Sequence, residues 1–175
     1  QSLANGVPLV TDKPALLRVY PESLVGPASS TPLVVKAYRD GKEIGLRAAL
    51  VNAVPISDID TVRNSPDGGA IIKIPSDWLS GTVTLEAEIN PDHNSPSEIR
   101  YDNNGRSQTV TFEPRRPLRV AYVPVSYDPT ESSPTTPAAG NIPNLHTAMA
   151  NLYPLPGVDY TIWSPLTWYL EMSGS

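Results

Sequence analysis

Trp78-Leu79-Ser80-Gly81-Thr82-Val83-Thr84-Leu85-Glu86-Ala87-Glu88-Ile89-Asn90-Pro91 is the stretch that decides how this chain is to be read. Val83, Leu85, Ala87 and Ile89 alternate with Thr82, Thr84, Glu86, Glu88 and Asn90. A period of two sends the apolar side chains to one face and the polar ones, Asn90 included, to the other. This is a strand with one wet face. A second alternating run, Gln108 to Phe112, sets Val110 and Phe112 against Thr109 and Thr111. Between the two lie Asn90-Pro91, Ser95-Pro96 and Asn103-Asn104-Gly105, all chain breakers, so the pair reads as two strands joined by a long polar loop.

Working back toward the N-terminus, the same period recurs. Pro8 to Thr11 is a short strand candidate. Ala15 to Tyr20 alternates, with Ala15, Leu17 and Val19 sharing a face. Pro21 to Pro32 reads as a loop, and Thr31 to Arg39 as a strand with Leu33, Val35 and Ala37 on one side. Asp40-Gly41 then leads straight into a further strand, Lys42 to Val51; such a two-residue Asp-Gly link predicts a tight hairpin, because Gly tolerates the positive φ of a type I′ turn. Asn52 to Gly69 reads as a polar connection and Ala70 to Ile74 as another strand. About seven short strands in little over a hundred residues predict an immunoglobulin-like antiparallel β-sandwich over residues 1–114, without the Cys–Trp–Cys pattern of antibody domains.

The style changes at Glu113-Pro114-Arg115-Arg116-Pro117, and residues 115–117 read as a linker. Leu118 to Val125 is a more continuous apolar run. Asp128 to Pro143 is rich in Pro, Ser and Thr and reads as an exposed loop. Asn144 to Leu152 predicts a short helix with Asn144 as its N-cap and Leu145, Met149 and Leu152 on one face. Val158 to Trp163 is a strand again. Strand, helix and strand in residues 118–175 predict the opening of an α/β layer, too short to build an independent core.

Composition narrows the function classes. The chain has 175 residues, 39% of them apolar and 20 of them proline, which suits short strands and many turns rather than a helical bundle. Net charge is −5, with no basic cluster beyond Arg115-Arg116, which argues against a nucleic-acid partner. No apolar run approaches the length of a membrane span. Cysteine is absent, which excludes disulfides, thiolate metal sites and thiol nucleophiles. The start at Gln1, without a leader, suggests a mature form or a fragment.

Candidate chemistry is sparse. The two histidines, His93 and His146, are read as unrelated packing or surface residues, because zinc needs three or four ligands. Asp92, Glu98 and Asp102, in the loop between the central strands, supply oxygen ligands of the kind calcium takes, but Asn and Asp also build tight turns by bonding to their own backbone. Asp58, Asp60 and Asp67 form a second acidic group with the same two readings. Trp163, Trp168 and Tyr169, with Tyr160, make an aromatic tail that reads as a sugar-stacking platform or, by preference, as core or interdomain surface. No catalytic constellation is complete, and no cofactor is expected.

Two segments carry a resemblance. Pro75-x-x-Trp78-Leu79-x-Gly81, Leu85-x-Ala87-x-Ile89-Asn90-Pro91 and Tyr101-Asp102-Asn103-Asn104 before Gln108 to Phe112 resemble the CARDB-type, Ig-like modules of bacterial secreted and surface proteins. The opening strands from Pro8 to Tyr20 are similar to those modules as well. Leu118 to Tyr127, Leu145 to Pro154 and Val158 to Trp163 resemble the first strand, helix and strand of a zincin-type metallopeptidase domain. The His-Glu-x-x-His helix of such enzymes is missing, since His146 is followed by Thr147-Ala148-Met149-Ala150. The resemblance implies a non-catalytic extracellular or cell-surface module that positions or docks the remainder of its own polypeptide, a zinc metallopeptidase. The alternative is an adhesion-type module that binds extracellular protein or glycan with no associated enzyme.

Overall fold

The computed structural model describes residues 6–24, 26–94, 97–127 and 142–168. The chain divides into two compact units, Gln1–Pro114 and Arg115–Ser175.

In the first unit the strands are β1 (Leu9–Val10), β2 (Leu16–Val19), β3 (Glu22–Ser23), β4 (Ala28–Arg39), β5 (Lys42–Pro55), β6 (Ala70–Lys73), β7 (Gly81–Ile89) and β8 (Gly105–Glu113). Six of them form one sheet in the order β1-β8-β7-β4-β5-β3, and β2 pairs with β6 in a separate two-stranded antiparallel sheet. The large sheet is mixed. Its centre, β8-β7-β4-β5, is antiparallel, whereas β1 runs parallel to β8 and β3 parallel to β5. The purely antiparallel expectation is therefore corrected at both edges. The physical reason is local: Leu9–Val10 and Glu22–Ser23 are two-residue strands that enter from distant loops, not through hairpins.

The two strands read first from the sequence pair as expected, Thr82↔Thr111 through Glu88↔Gly105. The Asp40-Gly41 link is a tight hairpin turn with φ of 52° and 75°, the positive pair that a type I′ turn demands. Along β4, Thr31, Leu33, Val35 and Ala37 are buried and their neighbours lie on the other face. Those inward residues pack with Val83, Leu85 and Phe112, and Leu17, Val19, Ala70 and Ile72 of the small sheet close over them. Trp78, only 1% exposed, sits in a 3₁₀ turn (Ser76–Trp78) at the core, with the Arg47 guanidinium 5.6 Å from its ring. Gly45 makes room for it: a Cβ there would lie 2.9 Å from Trp78 Nε1.

Several expected boundaries move. The loop Pro21 to Pro32 contains β3 and the start of β4. The polar connection Asn52 to Gly69 is mostly structured: β5 runs on to Pro55, held by Val54 N donating to Pro21 O, and a 3₁₀ turn (Ile56–Asp58) and a short helix α1 (Ile59–Asn64) follow. Asn90, assigned to the wet face by its parity, is 1% exposed. The strand ends one residue earlier, and a φ of 50° at Asn90 breaks the alternation and turns the side chain inward.

The second unit holds β9 (Leu118–Tyr122), β10 (Val125–Tyr127), α2 (Ile142–Leu152), β11 (Val158–Ile162) and β12 (Leu166–Trp168). β9 pairs in parallel with β11, and β10 in parallel with β12. The expected continuous strand Leu118 to Val125 is broken at Val123-Pro124, since proline lacks the N–H a ladder needs. Of the expected Asp128 to Pro143 loop, residues 128–141 lie outside the described residues, while Ile142 and Pro143 open α2. Asn144 is thus inside the helix and is not its N-cap. The packed stripe is also displaced: His146 and Met149 are half-buried, while Leu145 and Leu152 are 48% and 79% exposed. The rings of Tyr122 on β9 and Tyr160 on β11 take the His146 ring, which moves the contact by one residue from the apolar stripe.

Candidate functional site

The oxygen-rich loop between β7 and β8 is built around Asn90. Its N–H donates to Pro32 O at 2.7 Å, tying the loop to β4, and its carbonyl accepts from His93 N at 3.0 Å. Its Nδ2 donates to Glu98 Oε1 at 2.6 Å, and Asn104 Nδ2 donates to the same oxygen at 3.1 Å. The Tyr101 hydroxyl accepts from Glu98 N at 3.0 Å and points at His93 O, 3.4 Å away. His93, at φ 57°, stacks on Tyr101 with ring centroids 3.9 Å apart.

Of the calcium candidates, Glu98 is therefore engaged by two amides, and Asp102 is held by Arg100 at 2.6 Å on the exposed rim. The hydrogen bond from Arg100 keeps the Asp102 carboxyl below the usual aspartate range. Asp92 is exposed and joins neither pair. Among the described residues no three His, Cys, Asp or Glu side chains gather into a metal-holding group. The second acidic set is dispersed too: Asp58 accepts from Ser57 Oγ at 3.0 Å, Asp60 faces Arg63 at 3.7 Å, and Asp67 lies beyond α1 on the surface. These acids act as turn and ion-pair residues.

In the second unit His146 lies 3.9 Å from the Tyr160 ring and 5.3 Å from that of Tyr122, with its Nε2 buried and without a hydrogen-bond partner. Trp163 is 61% exposed just after β11. Trp168 belongs to β12, in register with Tyr127, and Tyr169 lies outside the described residues. The aromatic tail is thus spread over two strand pairs.

Sequence reading missed a shallow cleft on the outward face of the large sheet. It measures about 600 Å³ and is lined by Tyr38, Asp40, Gly41, Thr82, Thr84 and Glu86. Tyr38 and Thr84 are register partners across β4 and β7, and Lys36 faces Glu86 one step on. The threonines form hydroxyl pairs with the next strand, Thr82 with Thr111 at 3.0 Å and Thr84 with Thr109 at 2.8 Å. Partial burial, then the Glu86 carboxylate that accepts the phenol's hydrogen bond, holds the Tyr38 hydroxyl above its ordinary value. The only sequence signal for this cleft is the pair of Thr-x-Thr runs on strands that turn out to be neighbours. An aromatic ring flanked by carboxylates and hydroxyls can bind and orient a polar ligand; it contains no nucleophile–base pair.

Comparison of the chain with protein-family models, with curated proteins and with solved structures returns no match. Fold and geometry therefore define the class by themselves: a mainly β chain with a mixed six-stranded sheet and a second unit of parallel strand pairs. No helix among the described residues is long and apolar enough to cross a membrane.

Proposed function

We propose that this chain is a non-catalytic, immunoglobulin-like extracellular or cell-surface module that positions the rest of a larger polypeptide, with a zinc metallopeptidase as the associated enzyme. One observation carries the reading. The strand–helix–strand β9-α2-β11 is joined in parallel, yet Leu145, Leu152, Tyr160, Ile162, Trp163 and Leu166 are all between 45% and 79% exposed. Parallel sheets are stable when both faces are covered, and an apolar surface of this kind asks for more polypeptide against it. The first unit adds support: the small sheet of β2 and β6 packs on the apolar face of the large one, an arrangement that suits a spacer. The outcome is read from the coding region beyond Ser175 and from the longer protein it encodes. A His-Glu-x-x-His helix there, with chelator-sensitive proteolysis by the longer protein and none by this chain, supports the reading. Repeated β modules or a wall anchor in its place would remove the peptidase.

The cleft around Tyr38 favours a second reading, an adhesion-type module for protein or glycan. A ring with carboxylate and hydroxyl acceptors beside it is suited to a neutral sugar. Calorimetric titration with a set of oligosaccharides tests it, and Tyr38→Ala should abolish any heat that is found.

A further inference from the structure

We infer that β5 is a self-pairing edge, through which two copies of this chain join their large sheets into one. β5 is flanked by β4 along Lys42 to Ala53, whereas on its other side β3 covers only Val54 and Pro55. Among the described residues the side of β5 facing away from β4 thus carries no strand from Lys42 to Ala53. In such a strand every second residue aims its N–H and C=O outward, a template for another strand.

The sequence of this edge selects a second copy as the occupant. Leu46, Ala48 and Leu50 lie opposite Lys36, Val34 and Pro32 of β4, so all three are on the outward face. Leu46 is 42% and Leu50 71% exposed, and Ala48 between them is exposed as well. Antiparallel pairing about a two-fold axis at Ala48 sets Ala48 against itself and each Leu46 against Leu50 of the other copy. On the opposite face Arg47 meets Ala49, so no like charges face one another. The pairing then runs from Ile44 to Asn52, which fits the uncovered length. Neighbouring registers fail. An axis at Arg47 would put two guanidinium groups together. An axis at Ala49 would set Leu46 against the polar Asn52 and leave Leu50 facing Ala48, so the two leucines would no longer meet. An axis between residues would oppose side chains from different faces. Beside the C-terminal half of β5 an apolar groove of about 440 Å³, lined by residues including Ala49, Leu50, Gly69 and Ile71, leaves room for the incoming strand. The sheet's other long edge, along β8, differs: its outward row, Ser107, Thr109 and Thr111, is polar and presents no leucine.

The test uses the full chain, which has no cysteine of its own. Residues opposite each other in an antiparallel pair have Cα atoms about 4.5–5.5 Å apart, within disulfide reach. Ala48→Cys should therefore give a disulfide-linked dimer on mild oxidation. Leu50→Cys should not, because its copy lies about 13 Å away along the paired strands, four residues at about 3.3 Å each. Analytical ultracentrifugation of the unmodified chain should show a concentration-dependent dimer. Leu50→Lys, a change at an exposed position, should weaken it at least about tenfold, with the melting curve unchanged at concentrations too low for the dimer to form. A chain that stays monomeric up to about 1 mM overturns the inference. So does equal cross-linking by the two cysteine variants, or a dimer untouched by Leu50→Lys. Protection of β5 by an added extended peptide, with no dimer, would assign the edge to another partner and overturn it as well.

Discussion

Replacing Asn90 by Asp changes one atom and tests how the β7–β8 loop is held. Asn90 is buried, and its Nδ2 is 2.6 Å from Glu98 Oε1. Asp has nearly the same shape and tolerates the positive φ at this position, so the backbone contribution largely cancels. What changes is the sign of the contact: a donor to a carboxylate becomes a second carboxylate. Losing a hydrogen bond to a charged group costs about 1.5–3 kcal/mol. Two unit charges at such a distance repel by about 4 kcal/mol or more at an effective dielectric constant of 20. The protein can escape part of this by binding one proton between the two groups. At pH 7 that costs about 4 kcal/mol, three pH units above an ordinary carboxyl pKa near 4, which caps the loss. The expected destabilisation at pH 7 is therefore about 3–4 kcal/mol.

The pH dependence is the sharper part. In the variant the carboxyl pair has a folded-state pKa raised above its unfolded value, so folding takes up a proton. The variant then approaches the parent below about pH 4 and loses ground as pH rises through the folded-state value. Urea denaturation followed by circular dichroism at about pH 7 and pH 4.5 should show the gap shrink by at least about 2 kcal/mol on acidification. Asn90→Ala removes the donor without adding charge, and its deficit should change much less over this window. An Asn90→Asp deficit that is the same at both pH values, or below about 1 kcal/mol at pH 7, would refute the Asn90–Glu98 account.

Gly45→Ala places a methyl group 2.9 Å from Trp78 Nε1 in a fixed sheet, so overpacking should cost about 1–3 kcal/mol and alter the near-ultraviolet tryptophan signal. Phe112→Ala removes a side chain that is 1% exposed beside Val83 and Leu33, and should cost about 3–5 kcal/mol by denaturant titration. Asp102→Asn probes the exposed pair with Arg100. Because Arg100 holds the Asp102 carboxyl low, its contribution is present above the unfolded pKa and lost as pH falls through the folded one, so variant and parent should differ slightly at neutral pH and converge in acid below the usual aspartate range. Calcium in millimolar excess should leave the melting temperature unchanged, since Glu98 and Asp102 are already bound by Asn90, Asn104 and Arg100.

The parts of this structure legible in the sequence are those fixed by nearest neighbours along the chain. A period of two from Thr82 to Ile89 and the Asp40-Gly41 link each specify geometry locally, and the pairing of β7 with β8 and of β4 with β5 follows. β1 was legible as a strand within Pro8 to Thr11, but its parallel partner was not, and β3 was not legible at all, because a two-residue strand has no period and its register is set by partners distant in the chain, Phe112 for Leu9 and Val54 for Glu22. Asn90 shows the limit most clearly. Parity assigns it outward, and only the end of the strand one residue earlier, with its positive φ, brings it to the core as the anchor of Glu98. The Tyr38 cleft was hidden for the same reason: Thr82 and Thr84 line one cleft only once Tyr38, more than forty residues earlier, is laid beside them. Side chains of ordinary type, unremarkable in the chain, acquire chemistry through strand register. The β5 edge extends that logic from one copy to two, since Leu46, Ala48 and Leu50 match their own reversed order only about a single axis.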